Sequence, residues 1–220
     1  RGLGGNRGLN GVTSGVSVSS VTDSTIQLSN GANGYIIVTV STTPGITFGG
    51  TVNGTKVLTA SAAGGNVTFS GAVGSSQALG ALTVNSTGTT TFSSSVNAAS
   101  VTTNSGGTTA INGGAITTSG AQTFNDAVTL GAATTLNTTN SNIAFASTLN
   151  SSSSSRALTI GAGTGSVTFT GAVGGSLALG ATNITASTTT NSSTLVGSGV
   201  YAITGDAVVN GAITGVTNLS

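Results

Sequence analysis

A long internal repeat limits the folds open to this chain more than any other property of its sequence. The segment GNVTFSGAVGSSQALGA (65–81) aligns without a gap with GSVTFTGAVGGSLALGA (165–181), at an offset of 100 in sequence number, and the match extends upstream to residues 55–59 and 155–159. A repeat chain buries its apolar residues by stacking each unit on the next, because one unit alone cannot enclose a core. The fold must therefore give equivalent residues equivalent surroundings.

A shorter period lies inside the long repeat. All six Phe residues share the context x-[TA]-F-x-[GSD]-[ATS]-[VL], and their successive spacings in the sequence are 21, 23, 32, 21 and 24. Ile111 matches a Phe position and divides the gap of 32 into intervals of 19 and 13. Because an interval of 13 is too short for another unit of this size, we expect a locally irregular rung there, a rung being one complete unit of the stack. The predicted core is one inward column formed by Phe48, Phe69, Phe92, Ile111, Phe124, Phe145 and Phe169.

Short strands account for the rest of each unit. An apolar residue precedes the Phe by eight or nine positions in several units, as Val84, Ile116, Leu136 and Ile160 do. Gly, Ser and Asn, which favour turns, lie between these positions. Such strands could build a sandwich, a barrel or a β-helix. The repeat favours an all-β parallel β-helix (β-solenoid) with rungs of roughly 20–25 residues, because rungs stacked at about 4.8 Å align like residues.

The low charge of the chain agrees with stacked rungs. Only 3% of the residues are charged, four basic and three acidic, and the chain has neither His nor Cys. A charge repeated in every rung would stand about 5 Å from its copy, which is unfavourable. Without His or Cys, an ordinary transition-metal site, a nucleophilic thiol and Ser-His-Asp chemistry are excluded. Four cations cannot follow a phosphate backbone, so we expect no nucleic-acid partner.

The acidic residues do not suggest catalysis. Asp126 occupies the consensus corner position that Gly71 and Gly171 hold in other units, and Asp206 has a similar context. We interpret these two and Asp23 as solvated turn residues rather than a catalytic carboxylate pair. The sequence therefore predicts a non-enzymatic protein with no catalytic residue, no metal site and no cofactor. The longest apolar run, of four residues, is too short to span a membrane.

The cations and the Thr runs also have structural interpretations. Lys56 and Arg156 are equivalent in the long repeat, and we expect both to be exposed, solubilising positions. The Thr runs at 89–91 and 188–190 fit outward β-branched positions. A Thr array that binds ice would need a regular T-x-T at every rung. The drift of the repeat spacing between 19 and 24 argues against such an array.

The chain divides into three segments. Residues 1–40 lack the Phe consensus, and STIQLSNGANGYIIVTV (24–40) predicts a hairpin around residues 30–34. We interpret residues 1–40 as an N-terminal cap or assembly segment, atypical as terminal units of arrays are. Whether it caps its own chain or docks into a neighbour is open. Residues 41–197 form the solenoid, and residues 198–220 are expected to continue the stack with strands.

The repeat resembles a known class of sequence. The stretches 67–92 and 106–136 resemble the β-strand repeat regions of very large bacterial surface proteins, which are similar to filamentous-haemagglutinin-like adhesins and autotransporter passengers. The resemblance covers about residues 41–197. It implies a right-handed parallel β-helix, export from the cell, and adhesive or matrix-forming work. No functional residue carries over, because the shared pattern is structural.

These observations predict a secreted structural protein, extracellular or at the cell surface. We expect a subunit of an extracellular filament or an adhesin stalk, assembled by end-to-end β-stacking. Its main partner would be a second copy in a head-to-tail homopolymer, and host or surface glycans are further candidates. Two alternatives stay open: a functional amyloid of biofilm matrix, and an ice- or glycan-binding solenoid.

Overall fold

The structure is a computed structural model that describes the backbone of residues 26–31 and 35–40 and all of residues 45–220. Regular structure in these residues consists of β-strands alone. The described part of the chain consequently contains no helix able to cross a membrane. The prediction of an all-β fold is confirmed.

Twenty-two short strands make up the described chain. The first eleven are β1 (Ile26–Gly31), β2 (Tyr35–Val40), β3 (Ile46–Phe48), β4 (Val57–Ala62), β5 (Val67–Phe69), β6 (Leu79–Ser86), β7 (Thr89–Phe92), β8 (Val96–Thr103), β9 (Thr108–Ile111), β10 (Ala115–Thr118) and β11 (Gln122–Phe124). The others are β12 (Ala127–Leu130), β13 (Thr134–Thr138), β14 (Ile143–Phe145), β15 (Leu149–Ser151), β16 (Leu158–Gly161), β17 (Ser166–Phe169), β18 (Thr182–Asn191), β19 (Leu195–Val196), β20 (Val200–Val209), β21 (Ile213–Thr214) and β22 (Asn218–Leu219).

Parallel pairing stacks these strands into a β-solenoid of about 8 rungs, about 21 residues apart. Each rung passes three ladders of paired residues, which define three faces. Face 1 is the ladder Ile46, Val67, Thr90, Thr109, Val128, Leu149, Val173, Leu195, Ile213. Face 2 is the ladder Val52, Val73, Val96, Ile116, Leu136, Ile160, Ile184, Ile203. Face 3 is the ladder Leu58, Leu82, Val101, Gln122, Ile143, Val167, Thr189, Ala207.

Burial alternates along the strands, as the two-residue period of an extended chain requires. In β4, Leu58, Ala60 and Ala62 are buried, while the residues between them are partly exposed. One continuous core of buried side chains extends from Ile46 to Tyr201. The apolar positions thus point into the solenoid on all three faces, and the intervening Thr, Ser and Asn point outward.

Differences in rung length are taken up at the corners. The step in sequence number is 19 from Thr90 to Thr109 and 24 from Leu149 to Val173, yet both steps are paired in register. In the longer rung, residues 152–155 form an exposed corner loop. The ladders therefore stay aligned although the repeat length in the sequence drifts.

Two kinds of residue allow the chain to turn sharply between faces. Gly74 has φ +71°, and its equivalent Gly174 in the long repeat has φ +72°. At both positions a Cβ atom would collide with a carbonyl oxygen of the next rung, so only glycine fits. Asn side chains join the rungs at other corners. Asn150 Oδ1, for example, accepts a hydrogen bond of 2.8 Å from the Ser176 N–H of the next rung.

The predicted N-terminal hairpin is present. Strands β1 and β2 pair antiparallel, and β2 pairs in parallel with β4 of the same chain, so the hairpin extends face 3 by two strands. The role of residues 1–40 as a cap or assembly segment stays a prediction. Residues 1–25, 32–34 and 41–44 lie outside the described residues. Strands β20, β21 and β22 follow β18 and β19 in the stack, as expected for residues 198–220.

Candidate functional site

The predicted Phe column is present, but it is two columns rather than one. All seven residues of the expected column are at most 1% exposed. On face 1, Phe48, Phe69, Phe92 and Ile111 are paired in sequence. On face 3, Phe124 pairs with Phe145, and Phe145 pairs with Phe169. The rings stack within each column, with centroid separations of 4.6–5.3 Å and interplanar angles of 6–20°.

The two columns explain the short interval between Ile111 and Phe124. Ile111 pairs with Phe92 on face 1, so it is a Phe equivalent as the sequence suggests. Phe124 lies on face 3 of the same rung, where its ladder neighbour in the preceding rung is Thr103. The interval is therefore the length of chain between two faces, and no irregular rung is needed. The expectation of a single column was wrong because the Phe consensus does not reveal which face carries it.

The exchange of faces keeps one Phe in each of these rungs. Where Phe occupies face 1, the corresponding inward position of face 3 holds Ala60, Val84 or Thr103. Where Phe occupies face 3, face 1 holds Ile111, Leu130 or Ser151. An interior packed to crystal density accommodates a second large ring poorly, so the pairing of one large with one smaller side chain keeps the core volume nearly constant.

Several inward positions carry polar side chains that the repeat analysis missed. They include Thr90, Thr103, Thr109, Gln122, Thr189 and Asn191. Gln122 is fully buried, and its Nε2 donates to the carbonyls of Asn137 (2.9 Å) and Ile116 (3.1 Å). The signal was present in the sequence, because the triplet QTF places Gln where other units have Val or Ile. Asn191 is 1% exposed, and both of its amide atoms lack a partner among the described residues.

Asp126 is buried, contrary to the expected solvated turn. Its side chain is 1% exposed, Oδ1 accepts a hydrogen bond from the Gly107 N–H (2.8 Å), and Oδ2 accepts one from the Thr109 hydroxyl (3.3 Å). Burial raises the pKa of Asp126 above its ordinary value of 3.8, although the two hydrogen bonds act in the opposite direction. The carboxyl therefore connects neighbouring rungs at a corner of face 1.

The other charged residues do not form a site with Asp126. Asp206 is exposed on β20, and Asp23 lies outside the described residues. Lys56 and Arg156 are partly buried rather than fully exposed, and their backbone carbonyls accept hydrogen bonds from the N–H groups of Gly80 and Gly180 one rung later. Within residues 45–220, no group of three His, Cys, Asp or Glu side chains is arranged to hold a metal ion.

The most distinctive surface is the outer edge of β20. In this strand Ala207 and Val209 continue the inward ladder of face 3, but both are exposed, Val209 to 40%. Strand β22 pairs with Val200 and Tyr201, and the Ser220 carbonyl after it accepts a hydrogen bond from the Ile203 N–H (2.8 Å), so the covered part of β20 stops there. The Asn210 N–H donates to the Asn191 carbonyl (2.9 Å). Since successive N–H groups of a strand point to opposite sides, those of Ala207 and Val209 point away from β18, toward the edge.

Comparison with protein-family models, with curated proteins and with solved structures finds no match to this chain. The candidate surfaces are consequently those that the geometry defines: the edge of β20 and the outward residues of the three faces.

Proposed function

We propose that this chain is a non-enzymatic structural protein, secreted or at the cell surface, that forms part of an extracellular filament or adhesin stalk by end-to-end β-stacking. The observation that carries the proposal is the β20 edge. Within residues 45–220, its Ala207 and Val209 are core positions of face 3 that remain exposed, and no described residue accepts a hydrogen bond from their N–H groups. Such an edge is a template for another strand.

A second copy stacked on this edge would bury the exposed apolar groups. Val208 and Leu219, exposed to 43% and 56%, lie at the same end of the solenoid and would contribute to the contact. With axes aligned, β20 would meet β1 of the next copy in antiparallel pairing, because β1 runs opposite to the strands from β2 onward. Head-to-tail contacts of this kind do not close and therefore produce a fibre.

The charge of the chain supports stacking. Four basic and three acidic residues leave a net charge of +1, so little repulsion opposes the approach of two copies. The one ionised residue of β20 is Asp206, so the edge itself carries a single charge. Apolar burial and edge hydrogen bonds would then determine whether copies associate.

The test is electron microscopy of the purified chain, with sedimentation velocity over a range of concentrations. End-to-end stacking through β20 and β1 predicts uniform filaments with an axial repeat of roughly 50 Å, since each copy adds ten face 3 strands, β1 and β2 included, about 4.8 Å apart. Filaments that show only the repeat of about 4.8 Å would indicate the amyloid alternative. Monodisperse rods at every concentration would contradict assembly and leave a stalk that acts as a spacer.

Two variants at one position test the role of the edge. Val209→Pro removes an N–H that points to the edge and none that β18 uses, as an edge strand tolerates. We expect this variant to remain folded and to lose filaments. Val209→Ala keeps the N–H and serves as the matched control. Because it removes only apolar area, we expect it to form filaments that are shorter or that need a higher protein concentration. Filaments that persist with Val209→Pro would show that assembly uses another surface.

A further inference from the structure

The outward side of face 3 carries a regular column of Thr residues. We call it the Thr column: Thr59, Thr83, Thr102, Thr123, Thr168 and Thr190, with Ala144 between Thr123 and Thr168. Every member is paired in register with the next, from β4 to β18. The varying rung lengths do not disturb the column, because the extra residues lie in the corners. The drift of spacing in the sequence therefore does not argue against a regular Thr array, which in the structure is a single column rather than a T-x-T in every rung.

The hydroxyls of the Thr column are available to an outside ligand. All six Thr side chains are partly exposed, and none makes a side-chain hydrogen bond among the described residues. The neighbouring polar groups differ in this respect. Asn85 Nδ2 donates to the Ser61 hydroxyl (3.1 Å), and Asn125 Nδ2 donates to the Thr103 carbonyl (2.7 Å). Free hydroxyls thus recur along the solenoid axis at the strand spacing of about 4.8 Å, except across Ala144, where the spacing doubles.

The outward residues that flank the Thr column from β4 to β18 are uncharged, and Asp206, the β20 ladder neighbour of Thr188, is the charge next to its end. The flanking outward residues on face 3, from β4 to β18, are Val57, Ala81, Ser100, Ala121, Asn142, Ser166 and Thr188 on one side and Ser61, Asn85, Asn104, Asn125, Ala146, Thr170 and Ser192 on the other. Neither an ionised side chain nor an aromatic ring is among them. All six Phe rings are buried in the core.

We propose that the Thr column is an ice-binding surface. A Thr side chain presents one hydroxyl and one methyl group, and its branched Cβ restricts rotation, so the array is ordered before it meets its ligand. A row of hydroxyls at this spacing is close to the oxygen repeat of an ice lattice, and the methyl groups confine water between them. The absence of charges matters because an ionised group orders water around itself rather than in a lattice.

Ice fits this surface better than a polysaccharide does. Sugar-binding surfaces use aromatic rings that offer a large apolar area beside hydrogen-bonding groups, and face 3 has no outward ring from β4 to β18. Face 1 has a shorter column, Thr47, Thr68, Thr91 and Thr129, interrupted by Ala110. The longer column on face 3 is therefore the one that we assign to ice.

The test measures inhibition of ice recrystallisation and thermal hysteresis with the full chain. Thr102→Lys and Thr168→Lys each place a long cation in the Thr column. Thr117→Lys is the matched control, because Thr117 is an exposed outward residue of face 2. Far-UV circular dichroism and thermal melts establish that each variant is folded. Two column variants in different rungs keep the test valid where one of them fails to fold.

We expect activity in the native chain, its loss in both column variants and its retention in Thr117→Lys. Absence of activity in the native, folded chain would overturn the proposal, as would equal activity in all three variants. Retention on crystalline chitin or cellulose without effect on ice would also overturn it and would indicate a glycan surface. The outcome is independent of filament formation, because the Thr column lies on the side of the solenoid and the stacking edge at its end.

Discussion

Polar side chains inside this solenoid differ in what their neighbours offer them. Asp126 and Gln122 are buried, but each reaches backbone groups of an adjacent rung. Asn191 is equally buried and reaches none among the described residues. A buried polar group with hydrogen-bond partners raises the free energy of unfolding. A buried polar group without partners lowers it, because it loses its hydrogen bonds to water on folding and gains none in exchange. Individual substitutions should therefore change stability in opposite directions.

The pKa of Asp126 makes stability depend on pH. Because burial raises its folded-state pKa above the value of 3.8, the native protein binds this proton more tightly than the unfolded chain does. The free energy of unfolding contributed by Asp126 is therefore highest below pH 3.8 and decreases as pH rises through the folded-state pKa. Asp126→Asn keeps an acceptor oxygen for the Gly107 N–H and should abolish this decrease. Urea unfolding across the acidic range measures it, with exposed Asp206→Asn as control. An unchanged pH profile in Asp126→Asn would contradict the assignment.

Asn150, which has a hydrogen-bond partner, and Asn191, which has none among the described residues, can be compared to measure what such a partner contributes to stability. Asn191→Leu removes two unsatisfied atoms from the core, next to Phe169 in the ladder, and should raise the free energy of unfolding by about 1–3 kcal/mol. Asn150→Leu deprives the Ser176 N–H of its acceptor and, because Ser176 is exposed to water, should lower it by about 0.5–1.5 kcal/mol. Chemical unfolding of both variants gives the two signs. If Asn191→Leu is destabilising, the amide has a partner, such as an internal water.

Among the structural elements, the rung is the unit that the sequence specifies best. The Phe consensus, the apolar positions between Phe residues and the hairpin at 24–40 were sufficient to predict a parallel solenoid with a strand pair before it. The face that each Phe occupies was not predictable. The consensus around Phe92 and Phe124 is the same, and only the residue on the opposite face, Thr103 or Ile111, distinguishes them. That choice depends on core volume, which acts between residues far apart in sequence.

The burial of corner residues was also not predictable from the sequence. Asp126 matches the consensus position of Gly71 and Gly171, which suggested a solvated turn. Its burial depends on the Gly107 N–H of the preceding rung, which the carboxylate reaches only because the rungs stack. The Thr column was hidden for the same reason. Repeat spacing in the sequence counts corner residues, whereas register in the sheet does not.

The balance of one Phe per rung predicts strong coupling between Ile111 and Phe124. Ile111→Phe places two large rings in one rung and should lower the free energy of unfolding by about 1–3 kcal/mol through overpacking. The double variant Ile111→Phe/Phe124→Ile moves the ring from face 3 to face 1 and should recover much of this loss. Denaturant unfolding of the two single variants and the double variant gives the coupling free energy. Additive effects would show that each face packs independently of the other.

For the molecule as a whole, stability should vary along the solenoid axis. Each rung contacts only its neighbours, so interior rungs are stabilised from both sides and an end rung from one. Most of the residues from Thr204 onward are exposed, whereas the ladders from Ile46 to Tyr201 are closed. The end at β20 combines an exposed end rung with the surface proposed for assembly. Contact with a second copy would thus stabilise the exposed end rung, which has a neighbouring rung on one side alone.

Hydrogen exchange resolved to single amides tests this relation in one strand. In dispersed protein, the amides of Ala207 and Val209 point to the open edge and should exchange rapidly, while those of Val208 and Asn210 point to β18 and should be protected. In assembled filaments, Ala207 and Val209 should become protected as a neighbour's strand accepts their hydrogen bonds. Val208 and Asn210 provide the internal control, because their partners belong to the same chain. Filaments in which Ala207 and Val209 still exchange rapidly would show that the subunits join through a surface other than the β20 edge.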